Sequence, residues 1–312
     1  MASSSTSSNP PSTAEAESLK AATFQRLHPR IYLERFLEEK VRPDGRSSVD
    51  DEGSTSWRNV ELNVGSISTA NGSSLVRIGN TTVVCGIKAE LCEPELDNPD
   101  EGFIVPNIDL PALCSPKFKP GPPAEEAQVL SERLYAVLIG NGMVPLSSLS
   151  IYPGKSAWAL YVDATVINYD GNVFDAALLA MVCALRNVSL PHAEFDLELN
   201  RTICTRLGSD SSKPAHKLVI EELPMAFSFG VFSGSHLLPD PTAFEEPLLD
   251  TTISVVLDSH ARILSVFQLG NGVERFGMED HVTDNRQAYT LDQCITFAKR
   301  RHTILMQKVH NL

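Results

Sequence analysis

The chain has 312 residues, with 26 Lys and Arg against 39 Asp and Glu, a formal net charge of −13. That balance excludes a protein that coats nucleic acid through a broad basic surface, while leaving room for contact through a small basic patch. Hydrophobic residues make up 42% and charged residues 21%, an ordinary globular composition with enough length for a substantial core. No apolar run reaches the roughly 20 residues of a membrane helix, and the N-terminus lacks the basic-then-apolar order of a signal peptide.

Residues 1–18 are Ser-rich and nearly free of large apolar side chains, so a disordered tail is expected there, with 19–312 forming the domain. Ile31, Leu33, Phe36 and Leu37 fall on one face of a short helix. Arg42-Pro43-Asp44-Gly45-Arg46 is a turn by its Pro-Asp-Gly centre, and the Ser- and acid-rich segment 47–56 reads as an exposed loop. From Arg58 the pattern is β: Val60, Leu62 and Val64 alternate, Asn71-Gly72 signals a hairpin, and Leu75, Arg77 and Thr81 to Ile87 continue the sheet. Glu93, Glu95, Asp97, Asp100 and Glu101 form an acidic loop, read as solvated. A strand over Phe103 to Leu110 follows. A helix over 124–140 then has Ala127, Leu130, Leu134, Val137 and Leu138 as its inner stripe.

The centre of the chain is Pro153 to Pro191. Trp158 to Tyr169 is rich in Val, Ile, Thr and aromatic residues and reads as a strand. Tyr169-Asp170-Gly171-Asn172 supplies a turn. Phe174 to Leu185 is then apolar on every side and too short to span a bilayer, which makes it a core helix. The second half repeats the order, with strands expected at 216–222, 225–233, 250–257 and 261–269 and a helix from about 289 to 310. The segment 187–215 is polar but carries Leu197, Leu199 and Ile203, and no linker separates the halves. The fold class is therefore α+β: two β-rich-then-helical halves, about 31–190 and 191–312, packed as one two-lobed body.

A helix that begins after a Gly turn is a natural anion site, because its free N–H groups and dipole favour negative charge. Here the turn is followed by Asn172, Val173, Phe174 and Asp175, which supply neither a cation nor a hydroxyl; Asp175 reads as a helix-starting acid. Other chemistries find no support. The six Cys form no C-x-x-C pair, so zinc is disfavoured and reduced thiols are expected. The eight His show no H-x-x-x-H or H-E-x-x-H spacing, Ser66 and Ser68 have no placed His partner, and no Gly-rich segment ends in the Lys-Ser/Thr of a P-loop. The run Lys299-Arg300-Arg301-His302 reads as the wet face of the last helix.

RPDGR at 42–46, NVGSIS at 63–68, NGSSLVRIGNTTVVCGIKAE at 71–90, FKPGPPAEEA at 118–127 and PGKSAW…YDGNVFDA at 153–176, in that order, resemble the RNase PH family. Within it they are most similar to the non-catalytic ring subunits of the eukaryotic RNA exosome. The resemblance runs from about Phe36 to the last helix. It implies the RNase PH fold and assembly into a hexameric ring. It also implies partners: other RNase PH-like ring subunits, S1/KH cap subunits, a hydrolytic nuclease, and single-stranded RNA in a channel. No membrane is involved. Ribosomal RNA 3′-end processing and RNA turnover in nucleus, nucleolus and cytoplasm belong to the same expectation.

Phosphorolytic members bind phosphate at a Gly-Gly-Thr-Arg turn that opens the core helix. The matching positions here are Gly171, Asn172, Val173 and Phe174, without the arginine that would clamp an anion. Active members also use two acidic residues in the second half, and Asp240 and Glu246 stand at those positions; they read as exposed loop acids rather than a magnesium pair. The expectation is thus a chain without catalytic activity, cofactor or metal. The competing readings are an active phosphate-dependent 3′→5′ exoribonuclease or nucleotidyltransferase, and an adaptor acting through the acidic loop or the Ser-rich tail. For RNA contact the candidates are Lys117, Lys119 and Lys155, which lie with Pro and Gly in predicted loops, and Arg133 on the following helix. Tyr135, Ala136 and Ile139 stand where RNA-gripping relatives often carry further arginines.

Overall fold

The structure, a computed structural model, describes residues 13–48, 56–204, 216–234, 236–270 and 291–312. The expectations for residues 1–12, for most of the 47–56 loop and for the start of the last helix at 289–290 lie outside these. Two helices open the chain, α1 (Thr13–Leu27) and α2 (Pro29–Glu38). The expected disordered tail is corrected at residues 13–18, which belong to α1. Ala14, Ala16, Ala21 and Ala22, with Glu15, Glu17 and Lys20 between them, are strong helix formers and outweigh the missing apolar bulk. In α2, Leu33 and Leu37 are buried, while Ile31 is turned outward. They meet Phe232 and Leu238 of the second half, so α2 packs on that half rather than the first.

The first sheet contains β1 (Val60–Val64), β2 (Gly72–Ile78), β3 (Thr81–Cys92), β4 (Phe103–Asp109), β5 (Ser150–Tyr152) and β6 (Ser156–Asn168). Its order is β1-β2-β3-β6-β4, with β5 attached to β6. β4 and β6 run parallel, which requires a crossover, and α3 (Glu125–Leu138) supplies it. The hairpin expected around Asn71-Gly72 forms, β1 pairing antiparallel with β2, but through a longer connection; the two-residue turn comes one hairpin later. Gly72 already pairs with Ile87 as the first residue of β2, and the tight turn is Gly79-Asn80. Asn71 is instead spent on β3, where its Oδ1 accepts the Ala89 N–H at 3.1 Å.

The apolar helix is α4 (Val173–Arg186), and every residue from Val173 to Leu185 is buried. Short strands follow: β7 (Ser189–Leu190), β8 (Ala193–Asp196), β9 (Arg201–Cys204) and β10 (His216–Lys217). The strand expected over 216–222 shrinks to those last two residues, paired with β7. The second sheet is β12 (His236–Pro239), β11 (Met225–Phe232), β13 (Thr251–Leu257) and β14 (Ile263–Gly270), in that order. β12 was not foreseen from the sequence. α5 (Leu291–His310) lies against β11 and β13 and reaches α4, where Arg186 Nη1 donates to the Val309 carbonyl at 2.5 Å. Contrary to the sequence reading, Arg301 and His302 face inward from α5 rather than into solvent.

α4 packs against β2, β3 and β6 on one side and β11 on the other, so one helix serves both sheets. That double contact is why its sequence has no polar face. Ser74 of β2 is fixed to it as well, its Oγ donating to the Ala180 carbonyl at 2.6 Å. Ala180→Arg therefore places a guanidinium where no water reaches. An unpaired buried charge costs about 3–5 kcal/mol, against a stability of roughly 5–15 kcal/mol for a typical domain. The expected outcome is loss of soluble folded protein, read by circular dichroism, whereas Leu96→Arg at a fully exposed loop position leaves the spectrum and melting temperature unchanged.

Candidate phosphate-site remnant at the start of the core helix

Gly171 and Asn172 lead the chain from β6 into α4, with φ of 76° and 52°. The positive φ favours Gly or Asn, which tolerate the left-handed region. Gly171 has a second reason to lack a side chain. A Cβ there would stand 2.5 Å from the Ala243 nitrogen, because the 240–246 segment of the second half lies directly on the turn. The sequence candidates Asn172, Val173, Phe174, Asp240 and Glu246 are thus brought together, from positions about 70 residues apart.

What they do there differs from the sequence expectation. Asp240 is 1% exposed, not an exposed loop acid. Arg58 grips it with both arms of the guanidinium, Nε to Oδ2 at 2.8 Å and Nη2 to Oδ1 at 2.6 Å, and adds its own backbone N–H at 3.1 Å. Asn172 Nδ2 donates to Oδ1 at 2.7 Å, and Arg46 lies 3.4 Å from Oδ2. Burial alone would raise the Asp240 pKa, but the bonds and charge of Arg58, then Arg46, overcome it and hold the group at about 2. Every lone pair of this carboxylate is engaged by protein donors.

Glu246 is half-buried rather than exposed, at the start of a short 3-10 turn over 246–248. Its Oε1 accepts the Asn172 N–H at 2.7 Å and its Oε2 accepts the Tyr169 hydroxyl at 2.6 Å. A carboxylate of the chain itself thus caps the N-terminus of α4. Burial raises its pKa, and the bonds from Tyr169 and Asn172 offset part of that rise. Asp175, read from sequence as a simple helix-starting acid, turns inward instead. It accepts the Ser228 hydroxyl at 2.7 Å, the Ser228 N–H at 2.8 Å and Asn172 Nδ2 at 2.8 Å. Full burial is the largest influence on it and lifts its pKa to about 6 despite these bonds.

The RPDGR turn proves to be part of the same assembly. Arg42 is completely buried and pairs with the buried Glu245; it also donates to the carbonyls of Pro239, at 2.7 Å, and of Asp240, at 3.2 Å. Sequence reasoning missed Arg42, Arg46, Arg58, Glu245 and Ser228 as site residues. Only the repeated arginines of RPDGR carried any local signal.

Over this cap lies an open cavity of about 430 Å³, lined among others by Lys117, Glu125, Glu126, Arg133, Phe174 and Glu246. Phe174 occupies the place where an arginine would be needed, and Arg133 stacks on its ring at 4.1 Å and on Phe267 at 4.5 Å. Arg133 is thereby a packed cation rather than a free one. Lys117 is ion-paired with Glu126 at 2.7 Å and lies 5.5 Å from the Tyr169 ring centroid. Two cations face three carboxylates, a poor cradle for an anion.

The candidate lysines do not all share one patch. Lys117 sits by Tyr169, after the last residue of β6, and Lys155 sits before its first. A strand of 13 residues separates them, a span of roughly 40 Å at the usual rise per residue. Lys119 and Lys155 are exposed. No cluster of three or more His, Cys, Asp or Glu suited to a metal ion occurs among the described residues.

Arg58→Met strands the Asp240 charge, and its expected cost is about 3–5 kcal/mol at pH 7, read from urea denaturation. The sign of the pH dependence follows from the lowered pKa. Stability from Asp240 is complete above its ordinary value of 3.8 and is lost as pH falls through about 2. The gap between Arg58→Met and the parent chain should therefore narrow across that window.

A sequence signature of the 3′ exoribonuclease family, domain 1, the RNase PH domain, matches residues 56–191. The chain is 41% identical over 253 residues to an exosome complex component, rrp43, of Schizosaccharomyces pombe, covering 81% of this chain and 89% of that protein. It is 33% identical over 274 residues to the exosome complex component Rrp42 of Thermococcus gammatolerans, covering 88% and 92%. Its fold is similar to a chain of the Archaeoglobus fulgidus exosome with RNA bound to the active site, with a TM-score of 0.70 and 29% identity, covering 89% and 96%. The motifs, the two-sheet architecture around α4 and these relatives agree: the chain belongs to the RNase PH family.

Proposed function

We propose that this chain is a non-catalytic subunit of an RNA exosome core ring. In this reading it helps to enclose a channel through which single-stranded RNA reaches a hydrolytic nuclease carried by another subunit. Its neighbours are other RNase PH-like subunits, with S1/KH subunits capping the ring. Its work lies in RNA turnover and ribosomal RNA 3′-end processing in nucleus, nucleolus and cytoplasm. The names of its relatives support membership of such a complex.

The observation that carries the non-catalytic reading is the Glu246 carboxylate seated on the Asn172 N–H. Phosphorolysis needs inorganic phosphate at a helix N-terminus of this kind, and here a fixed negative charge stands there first. Asp240 adds to the argument, because a carboxylate saturated by Arg58, Asn172 and Arg46 has no lone pair left for a metal ion. The alternative, an active phosphate-dependent exoribonuclease, requires both groups to be free.

The test has two arms. The purified chain is incubated with RNA and inorganic phosphate, and no release of nucleoside diphosphates is expected. Release that survives repurification and disappears in Glu246→Ala would overturn the non-catalytic reading. Native mass spectrometry of the complex recovered on the tagged full chain should find further RNase PH-fold subunits; recovery of the chain alone, or with unrelated proteins only, would overturn the ring assignment.

A further inference from the structure

Beneath the cap, on its inner side, lies a small cavity of about 20 Å³ bounded by α4, β1, β2, β11 and α5. Its polar lining is Arg58, Asn172, Asp175, Asp240 and Arg301, each more than nine-tenths buried. The hydrogen bonds of two of them are incomplete. Asn172 uses both Nδ2 hydrogens, on Asp175 and Asp240, yet its Oδ1 is buried without a partner among the described residues. Arg301 donates from Nη2 to the Arg58 carbonyl at 2.9 Å, yet its Nε is buried without a partner among the described residues. The two residues that carry this unmet acceptor and this unmet donor therefore line the same space.

Buried polar atoms of this kind are rare unless something satisfies them. The occupant must both donate, to Asn172 Oδ1, and accept, from Arg301 Nε–H. Chloride can only accept and would sit beside the carboxylates of Asp175 and Asp240. A sodium ion could meet Oδ1 but cannot accept from Nε–H, and it would face two guanidinium groups. A water molecule does both, and it needs roughly 10–15 Å³ of such space, which the cavity offers. Phosphate or any organic ligand is too large.

We propose that the cavity holds one ordered water molecule bridging Asn172 Oδ1 and Arg301 Nε. This water ties α5 to the cap of α4, and it completes a network in which Arg58 is held by Arg301 through its backbone and holds Asp240 through its side chain. The bridge explains why an arginine in the basic run of α5 is turned inward.

A crystal structure of the full chain, alone or in its complex, at a resolution that places ordered solvent tests it. A single peak within hydrogen-bond distance of both atoms is expected. An empty cavity, a peak that refines as an ion, or a direct bond between the two side chains would overturn the proposal. In solution, a long-lived water should give an exchange-independent cross-relaxation peak to the Arg301 Nε–H. That peak should vanish in folded Val60→Ile, which fills the cavity wall by one methylene. Absence of the peak in the parent chain would contradict the bridge.

Discussion

Arg58 and Asp240 lie 182 residues apart in sequence, are both buried, and are joined by two side-chain hydrogen bonds. Two buried charges can be held together only if nearly all of their hydrogen-bonding capacity is used. The remaining donors around Asp240 are therefore fixed too, Asn172 from the α4 turn and Arg46 from the RPDGR turn. Arg58 in turn holds the carbonyls of Asp170 and Gly171, at 2.6 and 3.2 Å. The two halves of the molecule thus meet at one polar joint set in an otherwise apolar interior, and the turn that opens α4 is part of it.

That joint decides what the helix N-terminus can do. With the 240–246 segment pressed onto Gly171, Glu246 reaches the N–H of Asn172 and closes the position an incoming anion would take. The same segment brings Glu245 to Arg42, so the cap cannot swing away without breaking a buried ion pair. Phe174 lies at the same end of the helix, an aromatic ring in the cavity wall on which the Arg133 guanidinium stacks. The N-terminus of α4 is thus engaged by groups of the chain itself, Glu246 on the Asn172 N–H and Phe174 under the Arg133 guanidinium.

Local signals in the sequence were enough for the central elements, though not for β12 or the start of α1. A run of apolar residues from Val173 to Leu185 admits no wet face, and the β-branched stretch of β6 reads as a central strand whatever surrounds it. The family resemblance also picked out Asn172, Phe174, Asp240 and Glu246. Their roles were not legible, because burial of a loop is a tertiary property. Asp-Pro-Thr-Ala-Phe-Glu-Glu reads as solvated, and nothing near Asp240 announces the arginine 182 positions earlier. The same holds for Arg301, which a basic run disguises as surface. Lys117 and Lys155 sit in loops as expected, and only the topology shows that an extended strand of 13 residues lies between them.

The central claim is that the N-terminus of α4 is already occupied by Glu246. Titrating inorganic phosphate into the isotopically labelled chain at neutral pH, while following the backbone amides of residues 172 to 175, addresses it directly. The account expects no saturable shift of the Asn172 amide at concentrations that saturate a phosphorolytic relative. A saturable shift there, with the Tyr169–Glu246 contact released, would contradict it.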